Sequence, residues 1–232
     1  MKIDSLSVFF PAYNEAENIA ATVEKAILVL NGLDLKQYEV IIVDDGSKDE
    51  TGKIADNLAS QNNKIRVIHQ SNGGYGVALQ AGFYNAKYPW IVFTDSDGQF
   101  DFSEVTKLLQ KSDEADVIIG YRINRQDPLL RRLFGWGWTL LANILLGIRT
   151  HDVDCAFKLI KKEVIDTIPH LKSQRGGMIS PELLAKARKN GFKIVEVGVH
   201  HYPRSFGHQT GADFGVIFKS FVDLFKLWWQ LQ

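Results

Sequence analysis

Cysteine is nearly absent from this chain of 232 residues, where Cys155 stands alone. One thiol makes no intrachain disulfide and no multi-thiolate metal site, which excludes a disulfide scaffold and a zinc ribbon. Neither sign of charge is in excess, with 27 Lys and Arg against 27 Asp and Glu. Binding nucleic acid through bulk charge needs a basic surplus, so nucleic acid is not an expected partner and an anionic ligand must be met by a local cluster. A membrane-length apolar run is missing too. Residues 133–148 form an uncharged stretch of 16 behind Arg131 and Arg132, short of the roughly 20 that a bilayer core requires. Residues 213–232 are apolar but broken by Lys219, Asp223 and Lys226 at helical spacing, the pattern of a helix lying on a surface. Lys2 and Asp4 precede a short apolar run without a small-residue cleavage site, so no signal peptide is read. The expected location is cytoplasmic.

What is present is a hydrophobic content of 45%, which fits a buried core and excludes disorder. Short β-branched runs at 6–10, 40–43, 65–69, 91–94 and 117–119 alternate with helical patterns at 15–30, 51–59, 76–85 and 102–111. That alternation predicts an α/β fold with a mostly parallel central sheet flanked by helices. Asn14 is expected to cap the first helix, with Glu17 completing a capping-box-like start. Beyond Arg122 the rhythm changes to a long apolar helix, a strand at 157–160, a helix opened by Ser180-Pro181-Glu182 and a last strand at 192–199. Since no linker divides it, the chain reads as one domain over 1–212, a first half to about 120 and a second half after it, with an amphipathic helix over 213–232.

Ligands of open α/β sheets bind beyond the carboxyl ends of the strands. Four such ends are unusually polar: Pro11-Ala12-Tyr13-Asn14-Glu15, Asp44-Asp45-Gly46-Ser47, Asn72-Gly73-Gly74-Tyr75-Gly76 and Asp95-Ser96-Asp97-Gly98-Gln99. Each alone is ordinary turn chemistry, but turns do not need two separate acidic pairs. Asp95 and Asp97 alternate in an extended segment, so both carboxylates face one side, where Gln99 adds a third oxygen. Such hard ligands suit Mg²⁺ or Mn²⁺ on a diphosphate. A strand-end acid such as Asp45 can accept from ribose hydroxyls or a base N–H. The Gly73-Gly74 turn lacks the Lys-Ser/Thr of a P-loop and is read as a tight strand-to-helix turn.

Taken in order, with Ala78 and Gly82, these segments resemble the family 2 glycosyltransferases, and more narrowly the polyprenyl- or dolichyl-phosphate sugar synthases; the resemblance runs from about Leu6 to Thr210. It implies a GT-A-type nucleotide-sugar fold. It further implies that Pro11, Tyr13, Glu15, Val43 and Asp45 hold the nucleoside and that Asp95, Asp97 and Gln99 hold the divalent ion, with Ser96 and Arg122 also on the nucleotide sugar. Arg131 or Arg132 would meet the acceptor phosphate. Asp152 opens Asp152-Val153-Asp154-Cys155-Ala156-Phe157-Lys158, a variant of the family's D-x-x-S-G-F-R segment, with Cys-Ala replacing Ser-Gly and Lys158 replacing Arg. Arg204 and Gly207 resemble the start of R-x-x-G-E-S-K, whose last three residues are His208, Gln209 and Thr210 here.

The activity so implied is metal-dependent inverting transfer of a hexose from a GDP- or UDP-linked sugar to a polyprenyl or dolichyl phosphate. A phosphate monoester arrives ionised, so Arg131, Arg132 and Arg204 would orient it while Asp152 serves as an orienting acid or weak base. Two alternatives stay open: transfer to a saccharide or protein acceptor, and a nucleotide-sugar-binding module without turnover. Phe214, Ile217, Phe218, Phe221, Phe225, Trp228 and Trp229 make the tail aromatic, as in interfacial helices. Peripheral attachment to the cytoplasmic face of a membrane is expected, or packing on the domain, in a homo-oligomer or against an anchoring partner. His200, His201 and His208 lack metal-site spacing and are assigned to a loop, and residues 174–178 are read as a mobile segment over the site.

Overall fold

Seven strands carry the apolar runs of the sequence, and the order in which they pair decides which loops meet. The computed structural model describes residues 3–123, 129–174, 176–204, 206 and 214–231, with side chains except at 129–131, 176 and 214–219. The strands are β1 (Ser5–Ala12), β2 (Gln37–Asp44), β3 (Ile65–His69), β4 (Trp90–Phe93), β5 (Val117–Ile123), β6 (Lys158–Lys161) and β7 (Ile194–His200). They form one sheet in the order β3-β2-β1-β4-β6-β5-β7. Strands β1 to β4 pair in parallel, as do β5 and β7, while β6 runs antiparallel between β4 and β5. The fold is therefore α/β with a mostly parallel sheet.

Eight helices accompany the strands among the described residues: α1 (Ile19–Gly32), α2 (Thr51–Gln61), α3 (Tyr75–Asn85), α4 (Val105–Leu109), α5 (Leu129–Leu146), α6 (Lys162–Thr167), α7 (Ile179–Lys189) and α8 (Phe214–Gln230). Alternation along the strands divides the core in two. Phe9, Ile41, Val43 and Phe93 face α3 and α7; Val8, Phe10, Val40 and Ile42 pack on the α1 residues Ile19, Val23 and Leu30. Each fully buried aliphatic or aromatic side chain contributes roughly 1.5–3 kcal/mol.

Several boundaries differ from expectation for local reasons. Helix α1 starts at Ile19 rather than 15, because Asn14 takes a left-handed φ of 55° and a turn over 15–18 closes on Glu15 O. Asn14 is thus no cap: its Oδ1 accepts from Lys48 N at 2.8 Å, which ties the first loop to the second. The helix expected over 102–111 divides into a 3-10 turn and the short α4. Helix α7 begins at Ile179, so Ser180 lies inside its first turn, where its hydroxyl accepts from Lys158. Helix α6 was not anticipated; it follows β6 without a turn residue to announce it.

The tail divides its faces. Leu224 and Leu227 are buried, and the Phe221 ring meets Trp138 of α5 edge-on at 5.5 Å. Phe225 and Trp229 point outward, as do Phe134, Trp136 and Ile144 of α5. Phe214, Ile217 and Phe218 lie outside the described side chains. Among the described residues no helix is long and apolar enough to cross a membrane.

Candidate active site

Strand register gathers the polar loops at one edge. Ala12 pairs with Asp44, Asp44 with His69, and Phe9 with Phe93, so the loops after β1, β2, β3 and β4 leave from the same side. The antiparallel strand completes the edge: Lys158, first residue of β6, lies opposite both Phe93 and Ile119, so the segment from Asp152 to Lys158 enters where β4 and β5 end. A parallel β6 would have sent that segment to the far side of the sheet.

The acids after β4 sit deepest. Burial, reinforced by the neighbouring charge of Asp97, pushes the Asp95 carboxyl up to about 7. Burial raises Asp97 as well. Asp95 Oδ1 accepts from the Tyr75 hydroxyl at 2.8 Å, and Asp97 Oδ1 from Gln99 N at 3.1 Å. Gln99 Nε2 donates to Tyr202 O at 2.9 Å, which fixes the amide and turns Oε1 away from that contact. Two buried carboxylates held against their own repulsion form a pair of the kind that a hard divalent cation relieves. Among the described residues no three His, Cys, Asp or Glu side chains group as a metal site.

The nucleoside residues implied by resemblance are placed unevenly. Tyr13 is exposed, whereas Val43 is wholly buried in the core, so any contact it makes with a ligand is through its main chain. Pro11 is buried and its carbonyl accepts from Ser96 Oγ at 2.8 Å, so the Ser96 hydroxyl joins two loops. Asp45 is buried and already accepts three hydrogen bonds, from Gln70 Nε2 at 2.6 Å, Gly73 N at 2.9 Å and Gly74 N at 2.8 Å. A carboxylate offers about four acceptor positions, so one direction on Oδ2 is left. The same bonds occupy the amides that a phosphate would need, in keeping with the reading of Gly73-Gly74 as a turn. Asp44 pairs instead with His69 Nδ1 at 3.0 Å and caps Ser47 N.

The arginines are tied to acids. Arg122 forms a bidentate pair with Asp152, Nε to Oδ2 at 2.6 Å and Nη2 to Oδ1 at 2.8 Å. Arg204 donates from Nη2 to Glu15 Oε1 at 2.6 Å and brings Nη1 within 3.6 Å of Asp97. Arg204 thus joins Glu15 of the loop after β1 to Asp97 of the loop after β4. Arg132 is exposed on α5; the Arg131 side chain, and Gly207 to Thr210, lie outside the described residues. His200 Nδ1 pairs with Glu104, and the buried His201 ring lies edge-on against Phe100. Within 174–178, Arg175 is outside the description, Gly176–Met178 form a 3-10 turn, and Gln174 O accepts from Gly76 N at 2.8 Å.

Two groups escaped the sequence reading. Lys158 is fully buried, its ammonium donating to Cys155 O and, at 3.1 Å, to Ser180 Oγ. Burial lowers its pKa against the opposing pull of Asp154, Asp152 and Asp95, so it is the buried counter-charge of the acid cluster. Asp154 accepts from Trp138 Nε1 at 3.3 Å, and burial, with the charge of Asp152, raises it to about 6. An acid within a variant motif was the available signal for Asp154; its indole partner on α5 had none.

Comparison with known proteins follows the same outline. The family model described as Glycosyl transferase family 2 matches residues 7–168. Polyprenol monophosphomannose synthase of Mycolicibacterium smegmatis is 31% identical over 212 residues, covering 86% of this chain and 78% of its own. Glycosyltransferase AglD of Haloferax volcanii is 29% identical over 235 residues, covering 97% of this chain but 37% of its own, so this chain spans little more than a third of that relative. Among solved structures, glucosyl-3-phosphoglycerate synthase from Mycobacterium tuberculosis, bound to Mn²⁺, UDP and phosphoglyceric acid, superposes with a TM-score of 0.74 at 18% identity, covering 97% of this chain and 78% of the other. That likeness is one of fold.

Proposed function

This chain belongs to glycosyl transferase family 2, and from that premise we propose that it moves a hexose from a GDP- or UDP-linked sugar to a polyprenyl or dolichyl phosphate with inversion. The observation that carries the reading is the pair Asp95 and Asp97 at the carboxyl edge of the sheet, with Asp95 pushed up to about 7 and a cationic guanidinium 3.6 Å from Asp97. Acids whose burial disfavours their own charge are arranged for a ligand that brings positive charge with it.

Asp95, Asp97 and Gln99 would hold the divalent ion, which when bound neutralises charge on the leaving diphosphate. This chain's residues do the rest. Tyr13, Glu15 and the last acceptor direction of Asp45 hold the nucleoside. Arg204, already bonded to Glu15, is placed to turn from Asp97 to a diphosphate oxygen, a donor-side role in place of the acceptor role that resemblance implied. Arg122 supplies fixed positive charge on the β5 side. Asp152 has both oxygens on Arg122, and a carboxylate paired with a guanidinium is a poor proton acceptor, so it orients Arg122 rather than acting as a base. A phosphate monoester nucleophile needs no base, and this favours a lipid phosphate over a hydroxyl acceptor.

Arg131 and Arg132 at the head of α5 would meet the acceptor phosphate where a polar head and an apolar tail part. The outward Phe134, Trp136, Ile144, Phe225 and Trp229 form an apolar face suited to a membrane surface. Attachment is then peripheral and would be on the cytoplasmic face.

Nucleotide binding should depend on metal. Thermal unfolding of the protein with a panel of nucleotide sugars is expected to rise for one nucleotide class in Mg²⁺ or Mn²⁺, by several degrees at 100 times Kd, and to stay flat in EDTA. An equal rise in EDTA, or none for any nucleotide sugar, would refute the reading.

A further inference from the structure

Tyr75 opens α3 directly behind the turn that Asp45 holds. Gly74 adopts a φ of 92°, a backbone state open to glycine, and this sharp turn delivers the next residue's phenol to the acid pair. The hydroxyl donates to Asp95 Oδ1 at 2.8 Å. The head of α3 is also fixed from the second half of the chain. Gly76 N donates to Gln174 O and Gln80 Nε2 to Ser173 O, both at 2.8 Å, and a Cβ on residue 76 would collide with the Ser173 carbonyl.

We propose that Tyr75 is a positioning residue for the divalent cation: its hydroxyl occupies one oxygen of Asp95, sets the rotation of that carboxylate, and leaves Oδ2 as a single aimed ligand. The inference rests on the reading of Asp95 and Asp97 as the cation's acids. Without the hydroxyl, the Asp95 carboxylate is free to rotate, and a ligand that must be ordered on binding binds more weakly. A second consequence is linkage. The aim of Asp95 is fixed by a helix start that residues 173 and 174 also hold, so the acid pair and this segment share one support.

The test is Mn²⁺ binding, read by electron paramagnetic resonance of the free ion, with saturating UDP and separately GDP, on the full chain and on Tyr75→Phe, Asp95→Asn and the double variant. Tyr75→Phe is expected to raise the Mn²⁺ Kd about tenfold, the scale of one hydrogen bond to a charged group. Nucleotide affinity in EDTA should match that of the unaltered protein, and the far-ultraviolet circular dichroism should be native. In the Asp95→Asn background the added Tyr75→Phe change should cost nothing further, because the partner whose aim it sets is gone. A Kd within twofold of the unaltered protein, or the same tenfold loss in the Asp95→Asn background, would overturn the positioning role while the cation site stands. If Asp95→Asn alone binds Mn²⁺ as the unaltered protein does, the cation site itself is refuted and the inference with it.

Discussion

Asp95→Asn should lose transfer activity by about 10³-fold in kcat/KM while the folded protein becomes more stable, because the residue serves the ligand at the expense of the fold. The stability part has a sign that depends on pH. Asp95 is pushed up to about 7 in the fold, against about 3.9 in an unfolded chain. Between those values the folded state binds more protons than the unfolded one, so stability falls as pH rises from about 4 to 7 and levels off above. The asparagine variant lacks this titration. Its melting point should therefore exceed that of the unaltered protein at pH 8 and approach it near pH 4, both in EDTA. A variant less stable at pH 8 would mean that Asp95 serves the fold instead.

Lys158→Met has the opposite character. Lys158 is wholly buried and faces Asp95, Asp152 and Asp154, so its removal leaves buried negative charge that Arg122 and Arg204 offset only in part. Breaking a buried charge arrangement by deleting one partner costs about 3–5 kcal/mol. For a chain of this size that lowers the melting point by roughly 6–20 °C. Differential scanning calorimetry in EDTA reads it directly, and a drop of under 2 °C would show that the lysine is not the counter-charge of the cluster. Adding Asp95→Asn to Lys158→Met should recover part of the loss, since the two residues answer one another.

The inner parallel strands β1, β2 and β4 were legible because, buried on both faces, they write themselves as largely apolar runs. Strand β3 occupies the very residues 65–69 that the spacing predicts. Local chemistry misled where a distant partner competed. Asn14 has the residue type and spacing of a helix cap, yet Lys48 N and Ser47 Oγ claim it from the second loop. Ser180 likewise reads as a cap and instead receives a buried ammonium. The acid pair at 95 and 97 was visible as two acids two positions apart just past a strand, although β4 ends at Phe93 and the chain bends over 96–98 rather than staying extended. Its support was not. Tyr75 reaches Asp95 across 20 positions, Arg122 reaches Asp152 across 30 and Arg204 reaches Glu15 across 189. Those contacts depend on strand order, and above all on the reversal of β6, which no periodicity records.

The most direct test of the account is a transfer assay on the full chain with labelled GDP- and UDP-sugars, a polyprenyl phosphate in detergent, and either Mn²⁺ or EDTA. The account predicts a labelled, organic-extractable lipid phosphate sugar with one nucleotide class in Mn²⁺, none in EDTA, and none from Asp95→Asn in Mn²⁺ over the same interval. Undiminished product in EDTA, or product from the variant at the rate of the unaltered protein, would contradict it.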